Sequence, residues 1–439
     1  MPRNRISVPL AIGVGLGSII GAGIFTLSGT AIALAGADSI IAFILVGIIA
    51  MIIAFEVSEL VAIMPDERGV TYSYIRKAFG NELGFISGLL LYFSYSTAIS
   101  VIALGFGSYM SDILGLSIVY RVALSIALIF VVSIVNLIGI RKATRIDSAL
   151  VITNIAILGI FVAFAIIFSL STPGFSFVQH LSSTPAQGGI VPIFDASVVI
   201  FLAYSGFQTI TTFTTNIEGK ARGAARAIIF SVLITIIVYV FVVTALITLV
   251  PAKLYPINPD PLQFALNYIH APHSISFIVD IGALIATAST ALAMILRVSR
   301  MSYQISKDGL LPKIFRKYNS NKDVASSGVI IAAIISVIMI FSGNIYVIAS
   351  ISNFGILFSY LLVSFALIHF RRIGKSGDFK IPFYPYLPII AIIGIITFIF
   401  GMPREALEIG IVAILVLIVV YYMLIEATEA KVNRVRLFK

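Results

Sequence analysis

Three glycines, Gly17, Gly21 and Gly23, interrupt an apolar run that is otherwise long enough to cross a bilayer; residues 17–25 read GSIIGAGIF. Glycine costs about 1 kcal/mol relative to alanine inside a helix, so the helix is expected to break near Gly21. A new half-helix would then start within residues 22–25. Its first N–H groups, those of Ala22, Gly23 and Ile24, have no helical partner. Free N–H groups at the positive end of a helix dipole bind carboxylates. Residues 201–208, FLAYSGFQ, form a second interrupted stretch. A half-helix ending there leaves carbonyls unpaired near Leu202, Ala203 and Ser205, and carbonyls accept from an ammonium. One anion site and one cation site, both made of backbone, suit the two charges of an α-amino acid.

A third constellation is Ala286, Ser289 and Thr290, spaced i, i+3, i+4, which places one carbonyl and two hydroxyls on one helix face. Neutral oxygens suit a hard monovalent cation. No Asp, Glu, Lys or Arg is expected near the centre of a span, and an ionised substrate side chain would need one as partner. A neutral substrate follows. Glu56 is the deepest carboxylate; it could be a proton site, and two turns or so from the cytoplasmic end of its helix it reads as a snorkelling or helix-pairing residue.

The elements that must hold these groups are membrane helices. The chain has 439 residues, 59% hydrophobic and only 11% charged, and its mean hydropathy is +1.09. Such a composition excludes a soluble globular protein. About 20 residues at 1.5 Å rise cross the hydrocarbon layer, and on that scale twelve spans are expected: 7–35, 40–64, 84–114, 120–139, 146–170 and 194–215, then 227–250, 277–304, 325–341, 345–370, 386–400 and 406–427. In lipid, a broken helix is tolerated only where its backbone lines a cavity. The breaks therefore mark a midplane site.

With the N-terminus inside, all of the 29 Lys and Arg except Arg121, Lys253 and Arg404 fall on the cytoplasmic side. That asymmetry puts both termini in the cytoplasm of a multi-pass protein of the cell membrane. The net charge of +10 is thus topological, with weak attraction to anionic membrane lipid as its by-product and no nucleic-acid partner implied. Cysteine is absent, which removes disulfides and thiolate chemistry. His180, His270, His273 and His369 lack metal-ligand spacing, so no enzyme is read here.

The run GSIIGAGIF resembles the signature of the amino acid, polyamine and organocation transporter superfamily. Residues 59–74 (ELVAIMPDERGVTYSY) are similar to its pattern after span two, residues 201–208 to its sixth-span break, and residues 299–315 (SRMSYQISKDGLLPKIF) to its motif after span eight. The resemblance implies an all-α polytopic fold with spans one and six broken. Residues 1–439 would form a single transport domain: a five-helix repeat at 7–170, an inverted second repeat at 194–370 and two further helices at 386–427. It assigns Ala22 and Gly23 to the substrate carboxylate and Ile19, Leu202, Ala203 and Ser205 to the amine. It implies a secondary active transporter for an amino acid, with an exchanger or uniporter of the same fold as the alternative and no cofactor beyond a bound ion; an ion channel would need pore-lining carbonyl or charged rings, which the sequence does not display. Sodium-coupled transporters of this fold set the Ala286, Ser289 and Thr290 group opposite carbonyls of span one, here Gly17 and Ile20. Proton-coupled relatives carry a span-five lysine where alignment from residue 139 places Asn154, so sodium is expected ahead of protons.

Overall fold

The computed structural model describes residues 6–65, 71–117, 119–138, 143–172, 189–319 and 324–437. Residues 66–70 of the post-span-two motif, residues 139–142 that anchor the Asn154 alignment, and His180 lie outside the described residues. The described chain is nearly all helical, because apolar segments in lipid must satisfy their own backbone. In order come α1 Val8–Ile19, α2 Ala22–Ala35, α3 Ser39–Ile63, α4 Thr71–Phe79, α5 Asn81–Ile113, α6 Val119–Ile138, α7 Ala143–Ser171 and α8 Val191–Tyr204. A 3-10 helix, Phe207–Asn216, follows. Then come α9 Lys220–Leu249, α10 Pro261–Tyr268, α11 His273–Lys307, α12 Ser326–Ile340, α13 Ile345–Arg372, α14 Tyr386–Phe400 and α15 Arg404–Leu437.

Among the described residues, nine helical stretches are long and apolar enough to cross a membrane, and α1, α12 and α14 are shorter apolar helices. The chain is thus a multi-pass membrane protein. Helices α5, α8 and α13 are the buried centre. Around them α6, α7, α14 and α15 turn large apolar side chains outward, among them Phe130, Ile152, Leu170, Phe400 and Val412. An apolar belt of that extent belongs against lipid tails.

Two departures from regular helix follow from local sequence. The first span is two helices, α1 and α2, separated at Ile20 and Gly21. The sixth continues as a ten-residue 3-10 helix, FQTITTFTTN, rather than as a second α-helical half. Five β-branched threonines lower its α-helical propensity. Runs of 3-10 helix beyond three or four residues are uncommon, so this segment stands out as the place where the chain is wound tightest.

Long-range polar ties fasten the frame. The Ile6 N–H donates to the Asn216 carbonyl at 2.8 Å and the Glu218 N–H to the Ile6 carbonyl at 2.9 Å, a parallel bridge joining the start of α1 to the end of the 3-10 helix. Glu59, buried on α3, accepts both Arg371 Nε (2.6 Å) and Nη2 (2.8 Å) from α13 and the Ile381 N–H (2.7 Å) from the loop beyond. Arg76 and Tyr72 of α4 meet Asp308 at 2.8 and 2.9 Å, so the motifs after spans two and eight interlock. Burial and the Asp308 carboxylate push the Tyr72 phenol above its ordinary range, which keeps it a donor.

Candidate functional site at two crossed helix breaks

The breaks cross each other. Ile20 (ψ 70°) and Gly21 (φ −112°, ψ −139°) leave helical geometry, and α2 restarts at Ala22. On the other strand Ser205 is extended and Gly206 takes φ +127°, a conformation that side chains rarely adopt. A Cβ on Gly206 would run into the Ser18 carbonyl, and one on Gly23 would sit 2.5 Å from Ala203 Cα. Each break thus carries a glycine where the other backbone comes nearest.

Between them lies a cavity of about 20 Å³, lined by Ser18, Ile19, Gly21, Ala22, Gly23 and Thr26 from the first break and Leu202 and Ser205 from the second. Val101 and Ile102 of α5 and Thr290 and Met294 of α11 close it. Of the eight expected substrate residues, Ile19, Gly21, Ala22, Gly23, Leu202 and Ser205 meet here. Ile24 and Ala203 are buried just behind. On α5 the wall is Val101 and Ile102, whereas Ser94 lies against α13, two turns away.

The carbonyls of Ile19, Leu202 and Ala203 already have donors, which corrects the expectation of unpaired carbonyls at Leu202 and Ala203. Leu202 O accepts from the Ser205 N–H (3.1 Å) and hydroxyl (2.8 Å). Tyr239, fully buried on α9, points its hydroxyl at Ile19 O (3.0 Å) and Ala203 O (2.9 Å), so one phenolic proton serves both breaks. Sequence reasoning missed this residue. Ile19 O also takes the Gly21 N–H at 2.8 Å, so Tyr239→Phe should tell mainly on the Ala203 carbonyl in a dry interior, at a cost of about 1–3 kcal/mol. A fall in the thermal unfolding midpoint of the detergent-purified protein checks this; an unchanged midpoint would show the hydroxyl to be dispensable.

The expected cation group is only partly assembled. Thr290 faces the break: its Oγ1 accepts from the Ala22 N–H at 3.2 Å and donates to Ala286 O at 2.7 Å. Ser289 donates to the same carbonyl at 3.2 Å. A Cβ on Gly17 would meet Val151 of α7, so that position is a helix crossing, while Ile20 closes the last turn of α1 on Leu16 O. Asn154 is buried on α7, one turn from Val151 at the α1 contact and one from Ile157 at the Gly282 contact with α11, and its Oδ1 has no partner.

A polar layer lies beyond the cavity on the Ile6 side. Gln208 donates through Nε2 to the Tyr95 hydroxyl of α5 and accepts through Oε1 from the Tyr360 hydroxyl of α13. Arg297 of α11 donates to Thr209 Oγ1 at 2.7 Å and lies 5.5 Å from the Tyr95 ring centroid. The expectation that no charge approaches the site is therefore corrected. Arg297 was hidden because the sequence marks neither its depth in the span nor the direction in which its helix face turns. Glu56 is likewise fully buried, with Oε2 accepting from Ser364 of α13 at 2.7 Å, so of the two structural readings it pairs helices and does not snorkel.

Comparison with known proteins agrees with this architecture. The sequence model described as amino acid permease matches residues 6–421. The chain is 27% identical over 416 residues to a branched-chain amino acid permease of Lactococcus lactis, covering 90% of this chain and 89% of that one. It is 26% identical over 416 residues to a methylthioribose transporter of Bacillus subtilis, covering 89% and 86%. Among solved structures, a mutant manganese transporter of Eremococcus coleocola has the same fold, with a TM-score of 0.60 at 15% identity over 97% of this chain and 95% of that chain. Two crossed breaks enclosing a cavity, and a family match over residues 6–421, place the chain in the amino acid permease family.

Proposed function

We propose that the protein is a secondary transporter that moves a neutral amino acid across the cell membrane by alternating access. The observation that carries this reading is the crossed pair of breaks, which brings the N-terminus of α2 against the C-terminal end of α8 at one cavity. The α2 end offers the N–H groups that follow Ala22 to a carboxylate, and at the α8 end the Ala203 carbonyl, which takes one bond from Tyr239, keeps a second lone pair for an ammonium. Twelve spans, a five-plus-five inverted repeat and cytoplasmic termini complete the reading. The charge distribution supports that orientation.

A cavity of about 20 Å³ has room for about one water. An amino acid needs several times that, so binding requires the surrounding half-helices to part, and transport requires them to part on each side in turn. Apolar walls at Val101, Ile102 and Met294 favour an uncharged side chain, as does the branched-chain permease among the relatives. Sodium as co-substrate is the accompanying proposal. It is supported by Asn154 in place of a lysine and by Thr290 at the break, where its oxygen meets Ala22.

Uptake into proteoliposomes tests both parts. A panel of labelled amino acids together with methylthioribose is presented under a sodium gradient and, separately, a proton gradient. Accumulation of a neutral amino acid driven by sodium is expected. In the Ser289→Ala, Thr290→Ala double variant, sodium should no longer raise substrate affinity, because two hard oxygen ligands are gone and linkage is reciprocal. Wild-type uptake driven by protons and indifferent to sodium would defeat the sodium proposal. Uptake of methylthioribose alone would defeat the amino acid reading.

A further inference from the structure

Arg297 is a membrane-embedded guanidinium without a counter-charge. Among the described residues it forms no ion pair, and its Nη1 is buried with no hydrogen-bond partner. Such a group is expensive inside a membrane, and its presence there points to use. Its Nη2 is held by Thr209 and its plane lies near the Tyr95 ring. Neither contact neutralises it.

Position gives the charge a direction. On α11, Thr290 and Met294 line the cavity, and Arg297 follows at i+7 and i+3 from them. At 100° per residue Arg297 projects within about 20° of Thr290, about 10 Å farther along the axis. Helical Cα–Cβ bonds tilt toward the N-terminus, here toward the cavity. The unpartnered Nη1 is therefore carried by a side chain that leans back along the route between the cavity and the cytoplasm.

The group blocking that route belongs to the tightly wound segment. Thr209 and Gln208 sit on the 3-10 helix, and through them it is tied to Arg297, Tyr95 and Tyr360. When this layer opens toward the cytoplasm, the Thr209 contact is lost and a fork of guanidinium donors is freed. A carboxylate, like a phosphate, has paired oxygens that match that fork, and of the two the amino acid proposed above carries the carboxylate.

The geometry points to Arg297 as a second carboxylate-binding position, one stage inward of the α2 N-terminus, that receives the amino acid as it leaves for the cytoplasm. This inference rests on the amino acid reading above. It also gives a reason for the substrate's charge: a fixed cation on the exit path opposes a basic side chain and assists a net-neutral zwitterion presented carboxylate-first.

The test uses proteoliposomes of sorted orientation and leucine as probe, with half-saturation measured from each face for wild type, Arg297→Gln, Arg297→Lys and Thr209→Val. In Arg297→Gln the cytoplasmic half-saturation concentration should rise at least about tenfold, and the extracellular one should stay within about twofold. Arg297→Lys should recover part of the loss, since it keeps the charge and loses the fork. Thr209→Val, which frees the guanidinium without removing it, should leave cytoplasmic affinity equal or tighter. Equal shifts on both faces in Arg297→Gln, or weakened cytoplasmic affinity in Thr209→Val, would overturn the inference and leave Arg297 a structural latch. Each assay is repeated with methanesulfonate in place of chloride; a wild-type cytoplasmic affinity that depends on chloride would assign the site to an inorganic anion and also overturn it. Failure of the wild type to transport any amino acid in the panel would remove the functional reading and this inference with it, whereas uptake with unaltered Arg297→Gln kinetics would remove this inference alone.

Discussion

Gly23→Val is expected to lower amino acid binding at least about tenfold, equivalent to about 1.4 kcal/mol, in a protein that still inserts and folds. Two effects add. A Cβ at this position would sit 2.5 Å from Ala203 Cα and 2.6 Å from its Cβ, so backbone must shift and α2 is levered away from α8. Added branches would also cover the second N–H of the α2 terminus, where the carboxylate is proposed to sit. Gly23→Ala should show a smaller loss of the same kind. Gly13→Ala is the control, because its Cβ would meet nothing within 4 Å. Equilibrium binding of labelled substrate to monodisperse protein decides the matter, and unchanged affinity in folded Gly23→Val would sink the assignment of this terminus.

The largest loss of stability is expected from Arg371→Ala. Glu59 is almost wholly enclosed, with its side chain 1% exposed, and the guanidinium supplies two of the three donors it uses. Removing one partner of a buried pair leaves a carboxylate in low dielectric with no counter-charge, which costs about 3–5 kcal/mol when both are enclosed. The Arg371 side chain is 21% exposed, so water reaches the vacated place and about 2–4 kcal/mol is the better expectation. The double variant Glu59→Gln, Arg371→Met should recover most of it, since no lone charge remains. Thermal unfolding in detergent provides the comparison; equal midpoints for the single and double variants would show that the cost is lost packing and not an orphaned charge.

What could be read from the sequence, and what could not, separates along one line. The first break was legible because three glycines within seven residues are a local signal, and α2 begins at Ala22, inside the residues 22–25 expected from them. Helix positions were legible for the same reason: apolar runs announce themselves, and 386–400 coincides with α14. Contacts between distant segments had no such signal. Tyr239 sits in the apolar run IIVYVFVV, where a tyrosine reads as packing, and only the fold brings its hydroxyl to carbonyls 220 and 36 residues away. Arg297 looked like a residue near a helix end because a span has no depth marks. The 3-10 helix carried a clue in its threonines, but propensity alone does not choose between an α-helix and its tighter relative.

The bridge at Ile6 has a mechanical meaning. Because the Ile6 backbone is hydrogen-bonded on both sides to the segment around Ile217, the start of α1 and the end of the 3-10 helix share a single coupling point. Displacing α1 alone would break two hydrogen bonds at once, whereas displacing both together keeps them. The lower-cost motion is a joint swing, in which the lever arm formed by α1 draws the 3-10 helix, and with it Gln208 and Thr209, away from α5, α11 and α13. In the transport cycle proposed above, such a swing takes shelter from both poles of the site in the same step.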